Sequence, residues 1–269
     1  MSPGGAPWEM KEILRVVACS STMELLSRDR SLGPSEWERI SDTIRARLSG
    51  YPLAYVLGEA PFMDFYVKVR PGVFIPRLET ELIVSEAGAW LASREGCPVQ
   101  ALDLGAGSGN IAIALARLSE RVRVDAVEFA GVAAAVFEEN LRDHGLEGRV
   151  RLNKFDFTQH DTSLLQGAYD LIVSNPPYVS DADLDGLPPD VRHEPRTALR
   201  GGPRGDEVLR HILLHMPSRL KKGGRMILEM GMGQARGLTD LIEAMGSLRM
   251  AEAVKDENGI ERVLVLDKA

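Results

Sequence analysis

The sequence predicts an α/β protein: a mostly parallel sheet with helices on both faces, closing in an antiparallel hairpin and preceded by a small helical cap. Three observations carry that expectation. From residue 81 to about residue 246, strand-like and helix-like segments alternate, the rhythm of parallel strands joined by crossover helices. The tail "LRMAEAVKDENGIERVLVLDK" breaks this rhythm, reading as two strands around a turn at Glu257-Asn258-Gly259, and Asn-Gly is a strong hairpin signal. The first fifty residues have a helical period throughout.

In "WEMKEILRVVACSSTMELLSR", Ile13, Leu14, Val17, Met23 and Leu26 fall near one face of a helix, and "SEWERISDTIRARLSG" repeats the pattern. Ser35 with Glu38 has capping-box spacing, and Gly50 is placed to stop that helix. Short helices of this kind form a poor core alone, so they are expected to lean on the main domain. From Tyr51 the texture changes: "FYVKVRPGVFIP" alternates as a strand does, with a turn at Pro71-Gly72. "ETELIVSEAGAWLAS" is helix-like. The alternation follows: "VQALDLG" and "NIAIALARLS", "RVDAVEF" and "GVAAAVFEENLRDHG", "RVRLNKF", "YDLIVSN", "HILLHMPSRL" and "GRMILEM", then "ARGLTDLIEAMG".

The chain of 269 residues suits one large domain with an appendage, and its 44% hydrophobic and 26% charged content is that of a globular protein. A net charge of −7 argues against tight binding to bare nucleic acid, which calls for a basic face. Cys19 and Cys97 lack metal-ligand spacing, so neither a disulfide framework nor a metal site is expected. No signal peptide and no membrane-spanning run of apolar residues is read, and the expected location is cytoplasmic.

Two motifs carry chemistry. In "ALDLGAGSGNIAIALA", Gly105, Gly107 and Gly109 follow a strand and open a helix, allowing a tight turn and close approach of a ligand to the backbone around Ala106. Glu128 ends the next strand about twenty residues on, where a carboxylate can accept from both hydroxyls of a ribose. Those two features fit NAD and S-adenosylmethionine alike. The acidic "DLGAGSG" resembles the methyltransferase motif more than the dinucleotide fingerprint, whose glycine spacing it does not have. At the end of the third strand, Asp156 can accept from an adenine amino group and Phe157 can flank the ring; a solvated loop Asp is an equal reading.

The second motif is "SNPPYVS" at the end of the fourth strand, where open α/β sheets bind ligands. Two prolines cannot extend a strand ladder, so they make a rigid corner. A planar nitrogen is a poor nucleophile because its lone pair is delocalised. The Asn175 side-chain carbonyl and the Pro176 backbone carbonyl can accept its N–H bonds and orient it, while Tyr178 packs on the flat group and Pro177 stiffens the turn. The corner reads as that of an amino-methyltransferase.

Beyond these motifs, "GEAPFMDFYVKVRPGVFIPRLETELIVSEA", "HEPRTALRGGPRGDE", "GGRMILEMGMGQ" and "DENGIERVLVLDK" strongly resemble the HemK/PrmC family of protein-(glutamine-N5) methyltransferases, from about Tyr51 to Leu266. The resemblance implies a Rossmann-like class I methyltransferase fold with a seven-stranded sheet. It divides the chain into a helical cap for substrate recognition at residues 1–50, a linker with a β-hairpin and the "IPRLETE" block at 51–80, and the methyltransferase domain at 81–269. It implies S-adenosylmethionine as cofactor, S-adenosylhomocysteine as product, no metal, and a peptide-chain release factor as protein substrate, methylated in its Gly-Gly-Gln loop.

Carried over, Gly105, Ala106, Gly107 and Gly109 would cradle the methionine end, Glu128 the ribose, and Asp156 and Phe157 the adenine. Asn175 would bind at the cofactor's methyl end as well, and with Pro176, Pro177 and Tyr178 it would grip the target amide. Phe74, Ile75, Pro76, Arg77 and Thr80 would line a cover, and Glu194 with Pro195 would shape a lid. A structural Arg77–Glu81 salt bridge is as good a reading for Arg77 as contact with substrate, and His193 reads as a surface or lid residue. Gly231-Met232-Gly233-Gln234 looks like the substrate motif by coincidence. The chain departs from the family pattern in "VEFAG" around Glu128, in "HEP" where Tyr-Glu-Pro is common, and in a shorter helical region before Tyr51. A methyltransferase of this fold acting on another amide or amine is the alternative. DNA adenine methylation shares the Asn-Pro-Pro-Tyr corner but is opposed by the acidic charge.

Overall fold

The computed structural model describes residues 5–17, 32–94, 96–159, 164–165 and 167–269. The expected helical residues Met23 and Leu26, and Cys19, lie outside these; Cys97 is exposed and unpaired.

Helices Gly5–Val17, Pro34–Leu48 and Leu53–Leu57 precede the strands. Ile13, Val17, Ile40 and Leu53 make a small core between them. The second helix starts two residues earlier than the Ser35–Glu38 spacing suggests, with Gly33 at the N-cap. Pro34 takes the first turn, where its missing N–H costs nothing, and the Glu36 carboxylate accepts from the Gly33 N–H at 2.8 Å. Ser35 is inside the helix. Gly50 follows the helix end with φ +88°.

Strands β1 (Glu59–Phe62) and β2 (Phe65–Lys68) form a hairpin that turns at Met63-Asp64; the chain also turns at Pro71-Gly72 as expected, but no strand follows that turn before helix Glu81–Ala92. The main sheet contains β3 (Val99–Leu104), β4 (Val122–Val127), β5 (Val150–Asn153), β6 (Tyr169–Ser174), β9 (Leu220–Glu229), β10 (Leu248–Lys255) and β11 (Glu261–Lys268). Their spatial order is β10-β11-β9-β6-β3-β4-β5. Neighbours are parallel from β9 to β5, and β11 runs antiparallel between β9 and β10. The parallel strands are apolar on both faces because helices cover both. Ala101 on β3 joins the core under helices Glu81–Ala92 and Asn110–Leu118, while Leu102 and Leu104 join the core under helices Glu207–His215 and Ala235–Met245.

Two very short strands, β7 (Val179–Ser180) and β8 (Arg200–Gly202), pair in parallel beyond the end of β6. Their approach depends on glycine: a Cβ on Gly201 would lie 2.1 Å from the Gly205 carbonyl oxygen and 2.7 Å from the Tyr178 Cα. That contact explains the Gly-Gly pair in "TALRGGPRGDE".

Candidate active site at the switch point of the sheet

From β3 the chain moves outward through β4 and β5, then returns to place β6 on the other side of β3. At such a reversal the connections leave in opposite directions and open a crevice beyond the carboxyl ends of the strands. A cavity of about 310 Å³ occupies this place, at the lower end of the ~300–1,000 Å³ typical of small-molecule sites.

The glycine turn forms its floor. Gly105 and Gly107 have φ of +71° and +55° and line the cavity with Ala106 and Ser108. Gly109 does not line it. It has φ +87°, and a Cβ there would meet the Phe137 ring at 2.8 Å, so its role is to let the following helix pack on helix Gly131–Asp143. Beneath the turn Asp103 is fully buried, and neither carboxylate oxygen has a hydrogen-bond partner of good geometry. Burial pushes its pKa up to about 7, a push the nearby Ala112 N–H offsets only in part.

Glu128 faces the turn from the end of β4. One oxygen accepts from the Gly107 N–H at 2.9 Å and the other from the Ala130 N–H at 2.8 Å. A carboxylate has about four lone-pair sites, so capacity remains for a diol at the cavity it lines. Burial raises its pKa, against those backbone donors. Asp156 and Phe157 also line the cavity; Asp156 accepts from the Thr158 N–H and hydroxyl at 2.8 and 2.6 Å.

The other wall contains Asn175, Pro177, Phe74, Thr80 and Pro195. Asn175 Nδ2 donates to Thr80 Oγ1 at 2.9 Å, which leaves Oδ1 as the acceptor at the cavity. The side chains of the remaining expected residues stand behind this wall rather than in it, which leaves Pro176 only its backbone carbonyl to offer. Pro176 is buried. The Tyr178 hydroxyl donates to Glu229 at 3.0 Å, so the ring braces the corner from behind. Arg77 pairs with Glu194, which also accepts from the Ile75 N–H at 2.9 Å; Glu81 instead accepts from the Met63 N–H at 2.6 Å. The expected alternative of an Arg77–Glu81 bridge is thus replaced by a longer-range pair. Pro76 is partly buried beside it. His193 is exposed, edge-on to Tyr51. In the Gly231–Gln234 stretch, Gln234 Nε2 donates to the Tyr178 carbonyl at 3.0 Å, an internal tie.

Sequence reasoning missed Glu229 and Asp103. Glu229 sits at the end of β9, 1% exposed, and accepts from Thr80 Oγ1 at 2.7 Å; burial pushes its pKa up to about 7. The signal available was a lone Glu closing the apolar run "RMILE", expensive to bury without a local purpose. Phe155, Phe129 and Thr197, also in the lining, carried no pattern.

A glycine-floored crevice at the switch point, a carboxylate ending the second strand and a Pro-Pro corner at the fourth define a class I methyltransferase site. The open turn and the remaining capacity of Glu128 fit S-adenosylmethionine. Comparison with known proteins gives the rest. Residues 89–187 match the family model described as methyltransferase small domain, and residues 10–58 match that described as PrmC N-terminal domain. The release factor glutamine methyltransferase of Moorella thermoacetica is 40% identical over 255 residues, 93% of this chain and 88% of that protein. The one from Geobacter sulfurreducens is 38% identical over 237 residues, 88% and 80% of the two chains. The chain belongs to the release factor glutamine methyltransferase family. In fold it is similar to the ribosomal protein L11 methylase of Lactobacillus delbrueckii, with a TM-score of 0.53 at 19% identity over 75% of this chain and 84% of the other.

Proposed function

We propose that this protein methylates the side-chain amide nitrogen of a glutamine in a peptide-chain release factor, in its Gly-Gly-Gln loop. The carrying observation is that Asn175 shares one cavity with the glycine turn, with its Nδ2 tied to Thr80 so that Oδ1 is the acceptor offered there. S-adenosylmethionine, when bound, supplies an electrophilic methyl group on a sulfonium sulfur and is left as S-adenosylhomocysteine.

The chain's own residues bind and orient. Gly105, Ala106 and Gly107 give the cofactor a floor without side chains, Glu128 takes the ribose hydroxyls, and Asp156 and Phe157 take the adenine. Asn175 Oδ1 and the Pro176 carbonyl accept the two amide hydrogens of the glutamine. Two acceptors in fixed positions set the direction of the nitrogen lone pair and keep electron density on it, so positioning supplies the rate. The amide proton is lost to solvent after transfer, so no strong base is required and His193 needs no part in it. Phe74, Thr80 and Pro195 narrow the entrance to an extended side chain. The reaction as written uses no metal. The net charge of −7 supports a protein acceptor over nucleic acid, and a release-factor substrate places the enzyme in the cytoplasm, off the membrane.

The test is incubation with S-adenosylmethionine and a release factor from the same source, with mass spectrometric mapping. One methyl on the Gly-Gly-Gln glutamine, absent from a substrate with Gln→Asn there, is the expected result. Cofactor binding without that methyl would refute the acceptor.

A further inference from the structure

We propose that Thr80 and Glu229 are positioning residues that fix which end of the Asn175 amide faces the methyl acceptor. The inference rests on the reading of Asn175 as an acceptor for the glutamine N–H. An asparagine side chain has nearly the same shape when turned by 180°, but the turn exchanges an acceptor for a donor. Presented the wrong way, Nδ2 would oppose the N–H of the glutamine, and the corner would repel the group it is built to hold. The shape of the pocket cannot prevent this; a hydrogen-bond partner of fixed polarity can.

The structure contains such a partner. Thr80, 1% exposed, and Glu229, 1% exposed, are joined by the Thr80 Oγ1 to Glu229 Oε2 bond at 2.7 Å. The Thr80 and Tyr178 hydroxyls each donate to a different oxygen of Glu229, so the single hydroxyl hydrogen of Thr80 is directed to that carboxylate, which above about pH 7 is ionised and can only accept. The Thr80 oxygen then offers only lone pairs to Asn175, 2.9 Å away, and only Nδ2 can satisfy them. Asn175 Oδ1 is thereby turned to the cavity. The second oxygen of Glu229 accepts from the Tyr178 hydroxyl at 3.0 Å, three residues past Asn175 on the same corner. Both carboxylate oxygens thus face donors, and the carboxylate ends the relay as an acceptor. The relay joins three separate segments: the residue before helix Glu81–Ala92, the end of β6 and the end of β9. Nothing in it touches the reacting atoms except Asn175.

A brace that merely tied these segments together would work equally well with either polarity, and that difference is measurable. Thr80→Val keeps the shape and removes the hydroxyl; Thr80→Ser keeps the hydroxyl; Glu229→Gln keeps the shape and permits donation to Thr80. With wild-type methyl transfer to the release factor as reference, we expect Thr80→Val to lower kcat ~10- to 100-fold. KM for the release factor and cofactor affinity should stay within about threefold, and Thr80→Ser should recover most of the rate. Glu229→Gln should also lower kcat, and the double variant Thr80→Val/Glu229→Gln should be no slower than Thr80→Val, because both act through one relay. Equal rates for Val and Ser at position 80, or multiplying losses in the double variant, would overturn the proposal. If Thr80→Val does not fold, Glu229→Gln decides alone: an unchanged kcat overturns the relay, and a lowered kcat with kept affinity supports it. Failure of the wild type to methylate glutamine would instead refute the underlying function.

Discussion

Arg77 and Glu194, 117 residues apart in sequence, form an ion pair behind the cavity wall, and the same carboxylate takes the Ile75 N–H at 2.9 Å. Glu194 is 4% exposed, and burial raises its pKa against the pull of Arg77. The pair therefore locks the segment carrying Phe74 and Thr80 to the segment carrying Pro195. Removing one partner leaves the other's desolvation uncompensated. Arg77→Ala is expected to cost about 2–4 kcal/mol in urea unfolding and to weaken methyl transfer, with Glu194→Gln milder because it still accepts from Ile75. A loss below about 0.5 kcal/mol, the range of surface pairs, would show that the pair is ornamental.

On the proposed mechanism, Asn175→Ala removes an acceptor for the target amide while the glycine turn and Glu128 keep their own contacts. The turnover number should fall at least ~100-fold, while calorimetry finds cofactor affinity within a few-fold of wild type. Retained turnover would remove Asn175 from the chemistry.

Glu128→Gln has the opposite signature. One oxygen replaces two, so a backbone N–H of Gly107 or Ala130 loses its acceptor and the ribose loses a partner. Cofactor affinity should fall by ~10-fold or more, an energy of at least about 1.4 kcal/mol, with turnover at saturating cofactor much less affected. Unaltered affinity would place the ribose elsewhere.

Asp103 predicts a pH dependence of stability. Its folded pKa is raised to about 7 from an ordinary 3.8. Between those values the folded protein holds a proton that the unfolded chain has released, so this contribution is complete below about pH 4, shrinks as pH rises, and is gone above about pH 7. Glu229 shifts in the same direction. Relative to Asp103→Asn, which does not titrate, the wild type should lose on the order of 3 kcal/mol of unfolding free energy between pH 4.5 and 8. Parallel stability curves for the two proteins would show that Asp103 titrates normally in the fold.

The strands and helices of the main sheet were legible because burial on both faces leaves apolar runs separated by turn residues, as in "ALDLG" and "YDLIVSN". The turn around Gly105 and the corner at Asn175 were legible because they need residue types with special backbones. The pairing of β7 with β8 was not, since strands of two and three residues have no period to detect. The role of Tyr178 was hidden for another reason: an aromatic beside a site suits packing on a ligand, and only the position of Glu229, 51 residues later, shows its hydroxyl turned away. Arg77 was ambiguous in the same way, because Glu81 is near in sequence while Glu194 is near in space.

The hydrogen bonds at this wall also set when the enzyme can exist during its own synthesis. Thr80 meets Asn175 across 95 residues, Arg77 meets Glu194 across 117, and Thr80 meets Glu229 across 149. A ribosome delivers Thr80 long before Glu229, so a growing chain can finish the glycine turn and β4 while the wall opposite still lacks its anchors. Pairings so distant in sequence form late, after loop closure has been overcome. The residues proposed to hold the cofactor are therefore translated before the opposite wall receives its last anchor, Glu229 at the end of β9.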